Sequence, residues 1–513
     1  EKRAEARRNG ESKHWQMMVR TKTPGGRVTS EAYLAHDAIA EQWGNGTLRI
    51  TTREAFQLHG VLKGDLKPSI QAINGALMTT LGGCGDQVRN TMTCPLPPDD
   101  PLRAGIQGAL QGVVAGLAPR TRAYHEIWLD GEKLDTPEAE PLYGDGYLPR
   151  KFKVGIAPEG DNCVDIYSHD LGLVAMRGGD GGLDGFTVLV GGGLGRTHHK
   201  PETYPAVSQP LGFCRPDQVV ELSQAIVAVQ RDFGDRENRR HARMKYLIAD
   251  RGIDWFRDRV RERISFQLQP ARPLRWDPVD DHLGWHADGH GTWSYGIFVE
   301  NGRIKDEGRL RLRSALREIA HELSPQFVLT PQQNLLVTGL DEHGRRALPE
   351  VLRRHRVPRS ERVPSAIRHS MACPAIPTCG LAVAQAERVL PSVVREIDDV
   401  LRTLRLTKER ISIRMTGCPN GCARPYIGDV GMVGTTLGKY DLYLAGDFTG
   451  TRLNELYAHN VPLPELTDHL RPVLGAFAEE REHGETFGDW CARQGVEALQ
   501  GRFLATPVEP MSA

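Results

Sequence analysis

The residues with the most chemistry in this 513-residue chain are four cysteines in two loops stiffened by glycine and proline. Cys373 and Cys379 stand in Cys-Pro-Ala-Ile-Pro-Thr-Cys-Gly, and Cys418 and Cys422 in Thr-Gly-Cys-Pro-Asn-Gly-Cys-Ala-Arg-Pro. An iron–sulfur cube takes one thiolate per iron, so four cysteines on two rigid loops suit it. Structural zinc favours closer pairs, and the five residues between Cys373 and Cys379 make that pair too wide for a ribbon or finger. Cys84, Cys94, Cys163, Cys214 and Cys491 are scattered and read as buried or surface thiols. The competing reading makes all nine cysteines packing thiols or disulfides. The metal reading is the stronger.

A second set of residues is cationic. Arg20 lies in Met-Met-Val-Arg-Thr-Lys, Arg49 and Arg53 flank Thr51-Thr52, and Arg89 lies in Gly-Asp-Gln-Val-Arg-Asn. Lys151 and Lys153 flank Phe152, and a strand period of two puts both on one face. A charge in strand-like surroundings is costly without a partner, so such residues face an anion or a carboxylate. Taken singly, each reads equally well as part of a solvated face. Six together, with few acids beside them, point to a bound anion. The whole chain balances 65 Lys and Arg against 65 Asp and Glu. No overall field therefore argues for nucleic acid or an anionic membrane, and anion chemistry must come from local clusters.

These residues need a scaffold, and the chain reads as one pattern written twice. Gly25-Gly26-Arg27-Val28, a helical stretch 31–43, Thr47–Arg53 and Phe56–Val61 rhyme with a later set. That set is Asn301-Gly302-Arg303-Ile304, a helical stretch 308–322, Phe327–Asn334 and Leu335–Leu340. Each copy reads strand, turn, helix, strand, loop, strand, which suits an α+β layer. A fainter rhyme links Leu189–Gly195 with Tyr443–Gly450, while the cysteine loops belong to the second copy alone. Val393, Ile397, Val400 and Leu401 mark a helix face after Gly380, and Ile411, Ile413 and Met415 alternate as a half-buried strand does. Both cysteine pairs then sit at element ends.

The composition, 39% hydrophobic and 25% charged, is that of a globular protein of several lobes. No apolar run approaches the ~20 residues of a membrane span. The first residues are charged, with no signal-peptide core and no initiator Met, and free thiols beside a cluster suit a reducing, cytosolic compartment. Val188–Gly195 looks like a dinucleotide-binding turn but has Arg196 where the last glycine is needed, which argues against a nicotinamide site.

Thr416–Cys422, preceded by Met371–Pro374 and Thr378-Cys379, resembles the siroheme and 4Fe-4S site of assimilatory sulfite reductases. The likeness extends to Thr51–Gly60, Leu148–Lys153 and Phe487–Asp489, and so over nearly the whole chain. The resemblance implies an α+β fold with a pseudo-twofold repeat. Its parts would be ferredoxin-like half-domains at 10–80 and 270–350, a siroheme/Fe-S-type half-domain at 85–265 without cluster cysteines, and one at 360–510 that carries the cluster. It implies that Cys373, Cys379, Cys418 and Cys422 hold the cube and that Cys422 also bridges to the siroheme iron. Arg20, Arg89, Lys151 and Lys153 match cations that bind sulfite and supply protons. Arg49, Thr51, Arg53, Gln57, His59, Gln333, Asn334 and Asn420 match positions that hold or line siroheme. The implied reaction is six-electron reduction of sulfite to sulfide for cysteine biosynthesis, fed by a ferredoxin or an NADPH-dependent flavoprotein. The cysteine signature admits nitrite reductases too, and a non-catalytic iron–sulfur or zinc protein would need no such cations. Family members carry a further stretch ahead of this start. The Arg89–Pro95, Gly44–Gly46, His282–His286 and Cys422–Tyr426 segments lean towards ferredoxin-dependent relatives.

Overall fold

The computed structural model describes Gly10 and residues 15–120, 140–289 and 291–504, with the backbone alone for Trp128–Leu129 and Glu132–Lys133. Thr29 starts the first helix, Ser30–Trp43, by accepting from the Ala32 N–H at 3.2 Å. That helix buries Tyr33, Ile39 and Ala40 over the antiparallel strands Leu48–Ile50 and Phe56–Leu62. The second copy repeats this with helix Leu312–Leu323 and strands Gln326–Leu329 and Leu335–Leu340. Its helix starts later than the expected 308, because Asp306–Glu307 and Leu310–Arg311 first pair as a small hairpin.

The two copies exchange strands. Arg27–Thr29 pairs with Gln326–Leu329 of the second copy, and Arg303–Ile304 pairs with Leu48–Ile50 of the first. Each exchange turns on a glycine with φ of 71°. A Cβ on Gly26 would lie 2.2 Å from the Leu329 oxygen, and one on Gly302 would lie 2.3 Å from the Ile50 oxygen. Tyr33, Phe56, Leu316 and Phe327 consequently belong to one continuous core rather than two.

The longer segments form two five-stranded sheets of the same order. One runs Met92–Thr93, Val154–Pro158, Leu171–Arg177, Leu183–Val190, Gln209–Cys214. The other runs Ser370–Ala372, Ile413–Thr416, Val430–Thr436, Lys439–Leu444, Glu455–Pro462. In both, the first three strands are parallel and the rest antiparallel. The glycine run after Val190 thus leads to an antiparallel strand and not to a helix N-terminus. Helix Leu390–Thr403 buries Val393, Ile397, Val400 and Leu401 on the second sheet, as their spacing predicts.

Two expectations need correction. Ile413–Thr416 is buried on both faces, not one, because Arg414 is 3% exposed and its charge meets Asp165 at 2.7 Å. The cluster-type cysteine positions also recur in the first copy. Met92 faces Gly155 as Met371 faces Arg414, and Val154 faces Leu171 as Ile413 faces Val430. Superposing those registers sets Cys94 on Cys373 and Cys163 on Cys422. The unequal chain length between the paired strands hides this match in the sequence.

Candidate active site

Because Ser370–Ala372 and Ile413–Thr416 are parallel neighbours, their C-terminal ends lie side by side and bring the two cysteine loops together. Gly417 allows the approach. A Cβ there would lie 2.4 Å from the Ala384 oxygen and 2.5 Å from the Ala375 Cβ, and its N–H donates to Cys373 Sγ at 3.4 Å. Burial raises the Cys373 thiol, and the Cys422 and Cys418 sulfurs beside it raise it further. Burial pushes Cys418 up to about 11, with Cys422 and Cys379 adding to the rise and hydrogen bonds from the Asn420 backbone and side chain opposing it. Clustered sulfurs become thiolates together when cations compensate them, which is what iron does. The donor set fits a 4Fe-4S cluster.

Next to the cysteines lies a field of cations, each depressing the next. Burial and then Arg303 lower Arg49 to about 9, while Cys373 and Cys422 support its charge. Its guanidinium is 1% exposed, pairs with Glu387, and donates to the Ala372 oxygen at 2.6 Å. Arg53 is likewise lowered to about 9, by burial and then Arg89, and reaches the carbonyls of Asn90 and Val154. Its backbone N–H donates to Thr51 Oγ1 at 3.2 Å, which fixes the turn. The Gln57 amide, oriented to satisfy both ends, accepts from Arg20 at 2.6 and 2.9 Å and donates to His59 at 3.2 Å. Burial and the Arg303, Arg49 and Arg20 guanidiniums push His59 down to about 3, so it is neutral.

The half-buried Lys151 and Lys153 flank a buried Phe152, so both lie on one side of the chain as the period-two pattern predicts. Burial and Arg243 push Lys151 down to about 8, and burial with Lys151, Arg53 and Arg243 lowers Lys153 far below the usual lysine range. Neither lysine has an ion-pair partner among the described residues. Arg89 is lowered by burial and by Arg20. Buried Arg53 Nε and Gln333 Oε1 have no hydrogen-bond partner. Cations in excess of acids and orphaned polar atoms are what a polycarboxylate cofactor and an oxyanion substrate would satisfy. The pocket chemistry fits siroheme.

The description "Nitrite and sulphite reductase 4Fe-4S domain" matches residues 114–268 and 364–504, and "Nitrite/Sulfite reductase ferredoxin-like half domain" matches 11–76 and 286–354. The chain belongs to the nitrite and sulfite reductase family. Among curated members, a "Sulfite reductase (NADPH) hemoprotein beta-component" of Paenibacillus sp. (strain JDR-2) is 44% identical over 486 residues, covering 94% of this chain and 85% of that protein. The protein of that name from Geobacillus kaustophilus (strain HTA426) is 45% identical over 487 residues, with 94% and 85% covered. The solved structure of Mycobacterium tuberculosis NirA protein shares the fold, with a TM-score of 0.76 at 24% identity over 94% of this chain and 85% of that one.

This member of the family also uses residues that the sequence reading did not single out. Arg243 grips Asp170 through three contacts of 2.9 to 3.1 Å, and Asp170 in turn accepts from the Lys153 N–H at 2.9 Å. Lys245 donates to the carbonyls of Gly193 and Gly195 at 2.9 Å. Arg303 holds Glu387 at 2.8 Å and touches His59 Nδ1 at 3.0 Å. Thr52 Oγ1 donates to the Cys422 oxygen at 2.9 Å. Of these, Thr52 and Arg303 stood inside quoted motifs without a role, while the rest gain meaning from partners distant in sequence. Gln333 donates to the Ala372 oxygen at 3.0 Å from a backbone with φ of 71°. The Asn334 amide is taken up by the Val299 N–H at 2.9 Å and Asp281 at 2.6 Å, so it positions the loop rather than reaching outward.

Proposed function

We propose that this chain reduces sulfite to sulfide with six electrons and six protons, three oxygens leaving as water, at siroheme coupled to a 4Fe-4S cluster. The observation that carries this reading is a field of cations in excess of its acids, with Lys151 and Lys153 outside every ion pair among the described residues, set against the four-cysteine site. Siroheme and the cluster, when bound, supply an iron that takes the substrate through sulfur and a path for electrons. Cys373, Cys379, Cys418 and Cys422 would hold the cube, with Asn420 donating to Cys418. Arg49, Thr51, Arg53, Gln57, His59, Gln333 and Asn334 would hold or position the tetrapyrrole and its carboxylates.

The remaining cations act on the substrate. Arg20 and Arg89 balance the oxyanion. Lys151, depressed into the range where a proton is readily given, protonates a departing oxygen, and Lys153 replenishes that proton or acts beside it. The electrons come from a donor protein. The relatives' names carry NADPH, which favours a flavoprotein donor over the ferredoxin suggested by several sequence segments. Free thiols at such a site suit the cytoplasm, and no helix among the described residues is long and apolar enough to cross a membrane.

The test is protein made with siroheme supply, assayed with reduced methyl viologen on sulfite and nitrite. Siroheme absorption bands with sulfide formed faster than ammonia are expected. Faster ammonia formation would move the assignment to nitrite reduction, and absence of the bands would overturn it.

A further inference from the structure

Outside the site described above, Cys94, Asp161, Cys163 and His282 bring four donor atoms within 4.8 Å of one another, and all four residues are buried. We propose that these residues form a tetrahedral zinc site that clamps the segment between the two copies onto the first sheet. Cys94 Sγ lies 3.3 Å from Asp161 Oδ2 and 3.5 Å from His282 Nε2, and His282 Nε2 lies 3.0 Å from Asp161 Oδ2. Zinc bonds of about 2.3 Å to sulfur and about 2.0–2.2 Å to nitrogen and oxygen give a tetrahedron with edges of about 3.6, about 3.5 and about 3.3 Å for those same pairs. The donors already stand close to ligating distances. Two sulfurs, an imidazole and a carboxylate in tetrahedral array select zinc over magnesium, calcium or manganese, which prefer all-oxygen octahedra.

The fold supplies a second, independent argument. Cys94 occupies the strand-end position of Cys373, and Cys163 that of Cys422, so the first copy presents sulfur where the second presents cluster ligands. The parallel neighbours Met92–Thr93 and Val154–Pro158 carry the first pair of sulfurs, as their counterparts carry the second. The surroundings of the four side chains suit an ion as well. The Cys163 N–H donates to Asp161 Oδ1 at 2.9 Å, turning Oδ2 towards the other donors. Met92, Val164, Val174 and Phe213 wall the cluster with apolar surface. Arg27 and Arg103, both within the electrostatic reach of Cys94, offset the single negative charge of zinc with two thiolates and a carboxylate.

Ligation would order more than the four residues. Asp281 and His282 are consecutive left-handed residues, with φ of 49° and 56°. Asp281 accepts from Thr330 Oγ1 at 2.8 Å and from the Asn334 amide, and Gln332 donates to the Cys163 oxygen at 3.1 Å. The zinc therefore braces the loop that presents Gln333. That consequence rests on the proposed function, whereas the metal site itself does not.

The test is metal analysis of the full chain with its cofactors, purified from zinc-supplemented cells without chelator, and diffraction on either side of the zinc edge. About one zinc per chain, with an anomalous peak between the four side chains, is expected. Cys163→Ser and His282→Ala should each lose zinc more than tenfold while keeping iron and siroheme bands. Should either variant fail to fold, the wild-type edge measurement decides. No zinc at that position, iron there instead, or an intact mass showing a Cys94–Cys163 disulfide would overturn the site. Zinc is read without turnover, so its absence is distinguishable from failure of the sulfite reading.

Discussion

Lys151 is the residue whose charge is most open to test. Its ammonium, pushed down to about 8 by burial and Arg243, is protonated below that pH and loses its proton above it. Bound carboxylates and sulfite raise that value, so turnover is expected to fall along an alkaline limb at or above about pH 8. Lys151→Arg keeps the positive charge but cannot give up a proton at these pH values. It should lower kcat by roughly 10²–10⁴-fold with little change in KM and abolish the limb. A limb that survives in this variant would remove Lys151 as its source. Lys153→Ala, by the same logic, should keep both cofactors in the absorption spectrum yet lose most sulfite turnover. At this scale the sequence was most informative where chemistry is contiguous. Cys418 and Cys422, or Lys151 and Lys153, declare themselves within a few residues. Arg243 and Glu387 do not, because their meaning lies in Asp170 and Arg49, far away along the chain.

At the scale of elements, the site depends on strands too short to announce themselves. The repeat of helix and strands was legible because helix faces and strand alternation persist over many residues. The exchange was not, since Arg303–Ile304 is two residues long and its pairing with Leu48–Ile50 has no local signature. Gly302→Ala tests it. Besides adopting a left-handed backbone, alanine there would press on the Ile50 oxygen and on the Gln333 Cβ, 3.0 Å away. Backbone strain alone costs about 1–3 kcal/mol, so the variant should melt at lower temperature and bind siroheme less well. Gly64→Ala, where nothing lies within 4 Å and φ is not positive, is the control. If both variants melt together, the exchange contributes little. The half-buried pattern of Ile411–Met415 misled for a related reason: Arg414 looks like a solvated residue until Asp165, in a loop of the first copy, is known.

On the scale of the whole molecule, one side chain touches every part. Arg424, two residues after Cys422, forms an ion pair at 2.5 Å with Asp165, in the loop between the first sheet's strands Val154–Pro158 and Leu171–Arg177. It also donates to the Thr52 oxygen at 3.0 Å and to the Pro331 oxygen at 2.8 Å, one from each ferredoxin-like half. A planar guanidinium serves three directions at once, whereas a lysine ammonium on the same stem cannot span them. Arg424→Lys therefore keeps the charge that Asp165 needs and isolates the loss of geometry. Buried hydrogen bonds to a charged group contribute about 1.5–3 kcal/mol each, so losing even one should lower the melting temperature measurably. It should also loosen the seam at which the cofactors are proposed to sit, lowering siroheme and iron recovered per chain after gel filtration. Glu350→Gln, which breaks an exposed pair with Arg353, gives the baseline, because such surface pairs contribute about 0–1 kcal/mol. An Arg424→Lys protein that melts with that baseline and retains its cofactors would show that the four parts are held by their apolar contacts alone. Loss of cofactor together with stability would show that assembly of the pseudo-twofold molecule and construction of its redox site are one event.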